Sequence, residues 1–547
     1  MINNFQFISY YHCDSLFYWN LIIVFLPYFS YYWILMIHTD DLFQLIRSLS
    51  KNEKGYFKKY VSKHIVGEQN NYVRLFDAID HQESYDEKKI KLQFKGEIFI
   101  KHFPSEKNYL YNLILRSLSE FHSESSSEKQ LRDLIHSIEL LYDKGLYKQC
   151  KKILTRAKKL AVFFEKPLAQ LQLHEWESKI LISLAQFDKL KTFAAESKIQ
   201  QSQLFNQFHN YSQYRRLEEK MFLLSKKFGY PRNRTERSRY EKIIRNPIIK
   251  NGKKATMFRS KLHFYNIQSY YFDVLGKHKE SFRFRKMLVD YAEKYPHLIH
   301  DDQQRYVIAL NNLLNSQDEL GLREECEITI GKLTSLQTKS MNIRARIFGY
   351  VWHIRMTQNI LSGEFKELVS HAKEIEEGLK RYGRLLHPEF LLAFKYQFFY
   401  GYFGVGDYSS ALKWMNQLLN DGTIKIRPEI YFFARIMNLV LHFEMGNTEL
   451  LAYNIRNTYR LFIKQKRLFR FETVMLRFIR KSGKYNSPSE IRAGFSELKK
   501  QLVDLQKDPY ESQTLAFFDI IAWLESKITR RSFGEIVRQE KSAMRTK

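Results

Sequence analysis

The segment 388–467 is one unit written twice, and no other feature narrows the choice of fold as far. Pro388-Glu389-Phe390 returns forty residues later as Pro428-Glu429-Ile430, and Gly406-Asp407 returns at the same interval as Gly446-Asn447. Lys395 pairs with Arg435 and Phe403 with Phe443 at that offset. Each copy is an apolar run of helical length, a Gly-centred turn and a second amphipathic run. In the first copy the second run places Ala411, Trp414, Met415, Leu418 and Leu419 on one face at helical spacing. Pro followed by Glu suits a helix start, because the N–H that Pro lacks would be unpaired there in any residue. A helix–turn–helix recurring at a fixed period predicts a helical repeat array.

The same turn recurs along the chain from Lys129 onward. Gly145, Ala185, Gly276, Gly321, Gly363, Gly406 and Gly446 each follow one apolar run and precede another, with Gly229 fitting less well. Steps between these turns are 40, 44, 47, 45, 42, 43 and 40 residues, which predicts about eight hairpins. Two looser ones follow, around Phe517–Ile521 and Ser532-Phe533-Gly534. Only 21 Gly and 10 Pro occur in 547 residues, so long breaker-free segments favour helices over short strands. The expected class is all-α.

Gly406, Asp407, Tyr408 and Ala411 form a Gly-Asp-Tyr-x-x-Ala pattern after an aromatic-rich helix, and Gly145, Tyr147, Leu154 and Ala157 match its turn and second helix. This pattern resembles the tetratricopeptide repeat, over roughly 129–540. The period departs from that family, 40–47 residues against about 34, which implies longer helices or connectors. The resemblance implies a superhelical scaffold whose first helices line a concave groove for a peptide or partner protein. It implies no catalysis.

Ahead of the array, 36–126 reads as a small helical module. Thr39-Asp40-Asp41 suits a helix start, and Ser50 with Glu53 is a capping box. Further helices are expected at 72–80, 86–94 and 105–121, and Ser123 to Glu128 is a polar break. Two short helices before a longer one also fit a DNA-reading helix-turn-helix. Residues 1–35 differ in kind: thirteen are Phe, Tyr or Trp, and no Lys or Arg precedes Arg47. Two readings stay open for them. Residues 16–37 are uncharged and long enough to anchor a membrane, with the basic bulk cytosolic. Alternatively translation starts at Met36, and the earlier residues are AT-rich sequence read through.

Chemistry is sparse. No P-loop, H-E-x-x-H, G-x-S-x-G or dinucleotide fingerprint occurs, so a non-enzymatic protein without a cofactor is expected. His297, His300, Asp301 and Asp302 carry ligand-type atoms, but Asp after Pro296 also caps the next helix, and no metal is expected. Cys13, Cys150 and Cys326 are scattered, which favours a reducing, cytoplasmic location over a disulfide framework.

Two surfaces remain as candidate sites. With a net charge of +29, the densest cationic run is Arg232, Arg234, Arg237, Arg239, Lys242, Arg245, Lys250, Lys253, Lys254, Arg259 and Lys261, against Glu236 and Glu241. With Tyr240 and Phe258 interleaved it reads as a nucleic-acid patch or as a solvated connector. A second basic run, 456–484, interleaves Phe462, Phe469, Phe471 and Phe478, which fit a core with cations reaching outward. The groove candidates follow from helical phase: Asn266, Tyr270 and Asp273; then Asn311, Asn315 and Asp318; then His353 with Thr357; then Tyr396 with Tyr400. Asn can bond a peptide backbone, and Tyr gives contact area at low entropic cost. An ordinary wet helix face is the competing reading.

Overall fold

A computed structural model describes residues 40–62, 71–121, 126–228, 234–426, 428–465, 467–482, 485, 487–507, 515 and 517–545. Among them lie 26 α-helices, four short 3-10 turns and no strand, so the chain is all-α. Residues 1–35, Thr39, Cys13, Gly229 and Arg232 fall outside the described residues. No described helix is long and apolar enough to cross a membrane. The chain divides into two compact units at Phe208/His209, a boundary inside helix Phe187–Phe228.

The unit before the boundary holds two separate cores. Leu42, Ile46, Phe57, Leu75, Phe76, Ile79, Ile90, Leu110 and Ile114 close the first, over 40–121. Ser50 and Glu53 cap each other, with Ser50 N–H donating to Glu53 Oε2 at 2.7 Å and Glu53 N–H to Ser50 Oγ at 3.3 Å. Asp86 caps helix Glu87–Gln93 through the N–H of Lys89. The helices expected at 72–80 and 105–121 are Asn71–Asp80 and Phe103–Phe121. The second core joins hairpin 127–163 to helix Pro167–Ser183 through Leu131, Ile138, Cys150, Leu154, Ala157 and Leu173.

One ion pair in the first core sets an acid sensitivity. Lys107, only 7% exposed, meets Glu87 Oε2 at 2.6 Å, and Lys91 meets Glu87 Oε1 at 2.8 Å. Desolvation raises the Glu87 carboxyl, but the hydrogen bonds and charges of Lys107 and Lys91 outweigh it and hold it at about 2. A depressed carboxylate stabilises fully above its unfolded value and loses that contribution as pH falls through its folded value. Protection of the Ile90 and Leu110 amides against hydrogen exchange should therefore fall between about pH 4 and pH 2. Glu87→Gln should remove on the order of 2 kcal/mol at neutral pH and abolish that acid step. An unchanged acid profile in the Gln variant would refute the assignment.

The unit after the boundary is a run of hairpins. The evenly spaced turns take the left-handed conformation in both units: φ is 71° at Gly145 before the boundary, and 68° at Gly276, 71° at Gly321, 72° at Gly363, 83° at Gly406 and 69° at Gly446 after it. Ala185 does the same at 52°. Left-handed backbone at the residue after a helix returns its N–H to the last turn, as Gly406 N–H does to Phe403 O at 3.1 Å. Asp407 then caps the second helix through Ser410 N–H at 3.0 Å. The even ladder is broken once. Phe187–Phe228 is one 42-residue helix without Gly or Pro, so a second helix and the next first helix run on without a connector. Residues 234–261, expected as a solvated connector or nucleic-acid patch, contain helix Arg234–Ile244 and a short 3-10 turn.

Candidate binding face of the first helices

The hairpin Pro388–Val405 and Tyr408–Leu419 shows how the array presents its first helices. Ala411, Trp414, Met415 and Leu418 of the second helix are buried against the first, with Trp414 stacked on Phe398 at 4.3 Å between ring centroids. That leaves the opposite side of Pro388–Val405 to meet other elements. Its neighbour, Met341–Ser362, is joined to it by Gln397, whose Nε2 donates to His353 O at 3.0 Å and to Thr357 Oγ1 at 2.8 Å. One hairpin earlier, Gln358 Nε2 donates to Asp318 Oδ1 at 3.0 Å. Polar residues on this face therefore link successive first helices.

The groove candidates divide accordingly. Tyr270, Asp273, Asn311, His353, Tyr396 and Tyr400 are buried, and only Asn266, Asn315 and Asp318 are partly open. Asp273 and Arg285 form a buried ion pair, and Arg285 also donates to Asn312 O at 3.1 Å and to Ser316 Oγ. Burial raises the Asp273 carboxyl, and the Arg285 charge opposes that rise. Asn266 donates to Glu218 Oε1 at 3.1 Å, and Glu218 is also bonded to His263. Burial raises the Asp318 carboxyl, opposed by the Gln358 hydrogen bond and the charge of Lys541.

Tyr396 and Tyr400 meet something that local periodicity did not place there: the chain's own residues 517–519. Tyr396 OH donates to Phe517 O at 2.5 Å, and Asp519 N–H donates to Tyr400 OH at 3.0 Å. Burial pushes both phenols well above their usual range. Phe518 packs on Tyr400 at 4.5 Å and on Phe403 at 5.2 Å. Helix Ile520–Thr529 is tied down beside it, with Trp523 Nε1 donating to Glu444 Oε1 at 2.6 Å and Lys527 to Glu444 Oε2 at 2.5 Å. Helix Phe533–Arg545 then packs against both Met341–Ser362 and Pro388–Val405. Phe533 stacks on Phe365 at 5.2 Å, and Arg538 Nη1 donates to Gly363 O at 2.9 Å. Gly363 and Phe365 are expected from sequence only as a hairpin turn and the start of its second helix, and nothing in the sequence marks Arg538. The sequence predicts only a further hairpin at Ser532-Phe533-Gly534, where the structure has the start of one helix, Phe533–Arg545.

The basic segment lies elsewhere on this unit. Arg234, Arg237, Arg239, Lys242 and Arg245 are exposed on helix Arg234–Ile244, followed by exposed Lys250, Lys253 and Lys254. Arg237 and Arg245 both bond Glu241, at 3.0 and 2.8 Å. The interleaved aromatics are not available to stack on bases. Tyr240 is fully buried with its OH donating to Leu224 O, and Phe258 is buried against Tyr291. In the second basic run Phe462, Phe471 and Phe478 are core, while Phe469 is exposed. Asp302 caps helix Gln303–Glu319 through Arg305 N–H at 3.2 Å, and the charges of Arg305 and Arg259 outweigh burial to lower its carboxyl. No metal-holding group of His, Cys, Asp and Glu occurs among the described residues.

Fold and face together define an all-α chain of consecutive helical hairpins whose first helices carry a segment of the same chain. No family model matches it, and neither a curated protein nor a solved structure does.

Proposed function

We propose that the protein is a tetratricopeptide-like interaction scaffold without catalytic activity, which takes a peptide or protein segment along the first helices of its hairpins. One observation carries this reading. Tyr396 and Tyr400 hold a non-helical stretch, 517–519, through its main-chain carbonyl and N–H, over a floor of aromatic rings. Hydroxyls that address a main chain are indifferent to its side chains, while rigid aromatic rings add contact area at low entropic cost. Both features suit a face that takes peptide segments. Buried, unpaired Cys150 and Cys326 fit a reducing compartment, and we place the protein in the cytoplasm.

Capture from native cells on the full chain tests it. Partners should survive nuclease treatment and fall at least tenfold with Asn315→Arg, which adds bulk and charge at a partly open position of the face. Partners that leave with nuclease would sink the scaffold reading.

A second reading is favoured by the eight exposed cations between Arg234 and Lys254. As a nucleic-acid surface, this segment should bind RNA or DNA with an affinity that falls steeply with salt, because each phosphate neutralised releases counterion. Changing Arg232, Arg234, Arg237 and Arg239 to Glu should flatten the slope of log K against log salt by about 3 if all four touch phosphates. Asn315→Arg should leave that slope alone. Salt-sensitive nanomolar binding that needs the four arginines would establish this second reading.

A further inference from the structure

Helix Phe533–Arg545 rests on hairpins made far earlier in the chain: its Arg538 bonds a carbonyl 175 residues away. It does so through one narrow face. Phe533, Gly534, Ile536 and Val537 are buried, while Glu535 and Gln539 are exposed and the partly open Arg538 side chain reaches back to Gly363 O. The helix also supplies its own start. Ser532 N–H donates to Glu535 Oε2 at 3.1 Å and Glu535 N–H to Ser532 Oγ at 3.3 Å, a capping box that asks nothing of the surface beneath.

The seat below has three parts. Phe365, Tyr400 and Phe403 surround the Phe533 ring, with centroids 5.2, 6.2 and 6.1 Å away. Gly363 allows the two backbones to touch: a Cβ there would stand 2.8 Å from Gly534 O, and one on Gly534 would stand 3.2 Å from Gly363 O. Gly363 O takes the Arg538 hydrogen bond, and Glu364 Oε2 lies 3.9 Å from the same guanidinium. A ring slot, a place for a residue without a side chain and a carbonyl for an arginine amount to a reading frame for a short helical motif.

We infer that this seat is a docking site for an amphipathic helix of a partner protein, and that Phe533–Arg545 is the chain's own stand-in for that helix. The partner carries an aromatic residue, then a small one, then two apolar residues and an arginine at the spacing of Phe533, Gly534, Ile536, Val537 and Arg538. Two features make the stand-in exchangeable. Its outer face is solvent-exposed, so no further layer must move when it leaves. Phe518 stacks on Phe533 at 5.4 Å and also packs on Tyr400 and Phe403, so one ring of the floor stays in place when the helix leaves. This inference rests on the scaffold reading and gives that scaffold a ligand of stated chemistry.

The test uses the full chain and a fluorescent peptide of its own residues 531–545. Phe533→Ala and Arg538→Glu each loosen the resident helix by a different contact. Both variants should bind the peptide at least tenfold more tightly than the unaltered chain. A peptide carrying either substitution should bind at least tenfold more weakly. Adding Gly363→Ala to the Phe533→Ala chain should abolish binding, because the new Cβ meets the main chain of any helix in the seat.

Equal peptide binding by the unaltered chain and both variants would overturn the inference, as would binding that ignores Gly363→Ala. Loss of helical circular dichroism throughout in both variants would show that the helix is core, and would also overturn it. Dimers formed by the loosened variants, with no peptide bound, would assign the seat to a second copy and equally refute it. If the seat takes no peptide while Asn315→Arg still releases captured partners, this inference fails alone and the scaffold stands.

Discussion

Ala411→Arg is expected to unfold the 388–419 hairpin at temperatures where the unaltered chain is intact. Ala411 is fully buried on the helix that packs against Pro388–Val405. The substitution overpacks the seam and strands a guanidinium away from water, two penalties that together reach on the order of 5 kcal/mol. Ser409→Arg, two residues earlier on the exposed face of the same helix, should stay within about 0.5 kcal/mol. In an array each hairpin is stabilised chiefly by its neighbours, so the loss should show first as faster hydrogen exchange at Phe398 and Met415. Equal stability of the two variants would mean that Ala411 does not face its partner helix.

Asp273→Ala is expected to cost about 3–5 kcal/mol, although the removed side chain is small. Arg285 is 5% exposed and Asp273 3%, so removing the carboxylate leaves a buried guanidinium with only Asn312 O and Ser316 Oγ as neutral acceptors. The net worth of the pair is a different quantity. Replacing both partners at once, as Asp273→Ala with Arg285→Met, removes the unpaired charge along with the attraction. That double variant should recover most of the stability lost in the single one. Chemical denaturation of the four chains of this cycle measures the coupling. A double variant as unstable as the sum of the single ones would show that the two residues act independently.

These two sites mark what was legible in the sequence and what was not. The turns were, because left-handed backbone after a helix has a local cause: Gly363, Gly406 and Gly446 adopt it without the steric cost that a Cβ adds. Even Ala185 was placed by the spacing of the apolar runs around it. The status of the polar stripe was not legible. Asn311, His353 and Asp273 recur in phase with the repeat, and polarity at helical spacing is what a wet face looks like. The partners of His353 and Asp273 lie one helix or one hairpin away: Gln397 reaching His353 O and Thr357, and Arg285 reaching Asp273. Partners at such distances leave no periodic trace. The fused helix Phe187–Phe228 differs again: its sequence lacks Gly and Pro, yet the even spacing of the turns at Ala185 and Gly229 implies a connector between two helices there.

The return of residues 517–545 onto Met341–Ser362 and Pro388–Val405 has a kinetic consequence. A solenoid with contacts only between neighbours can nucleate anywhere and grow by short loops. Here Tyr396 and Phe517 are separated by 121 residues, Tyr400 and Asp519 by 119, and Gly363 and Arg538 by 175. Closing loops of this length costs chain entropy before any contact repays it, and high contact order slows folding. Refolding should thus end in a separate slow phase in which Trp523 fluorescence changes after helical circular dichroism has saturated. On the ribosome the delay is set by translation instead. At roughly 5–20 residues per second, the ring slot of Phe365 and Tyr400 waits on the order of ten seconds for Phe533 to be made. Throughout that interval the nascent chain displays an uncovered aromatic surface, the kind of surface that chaperones bind.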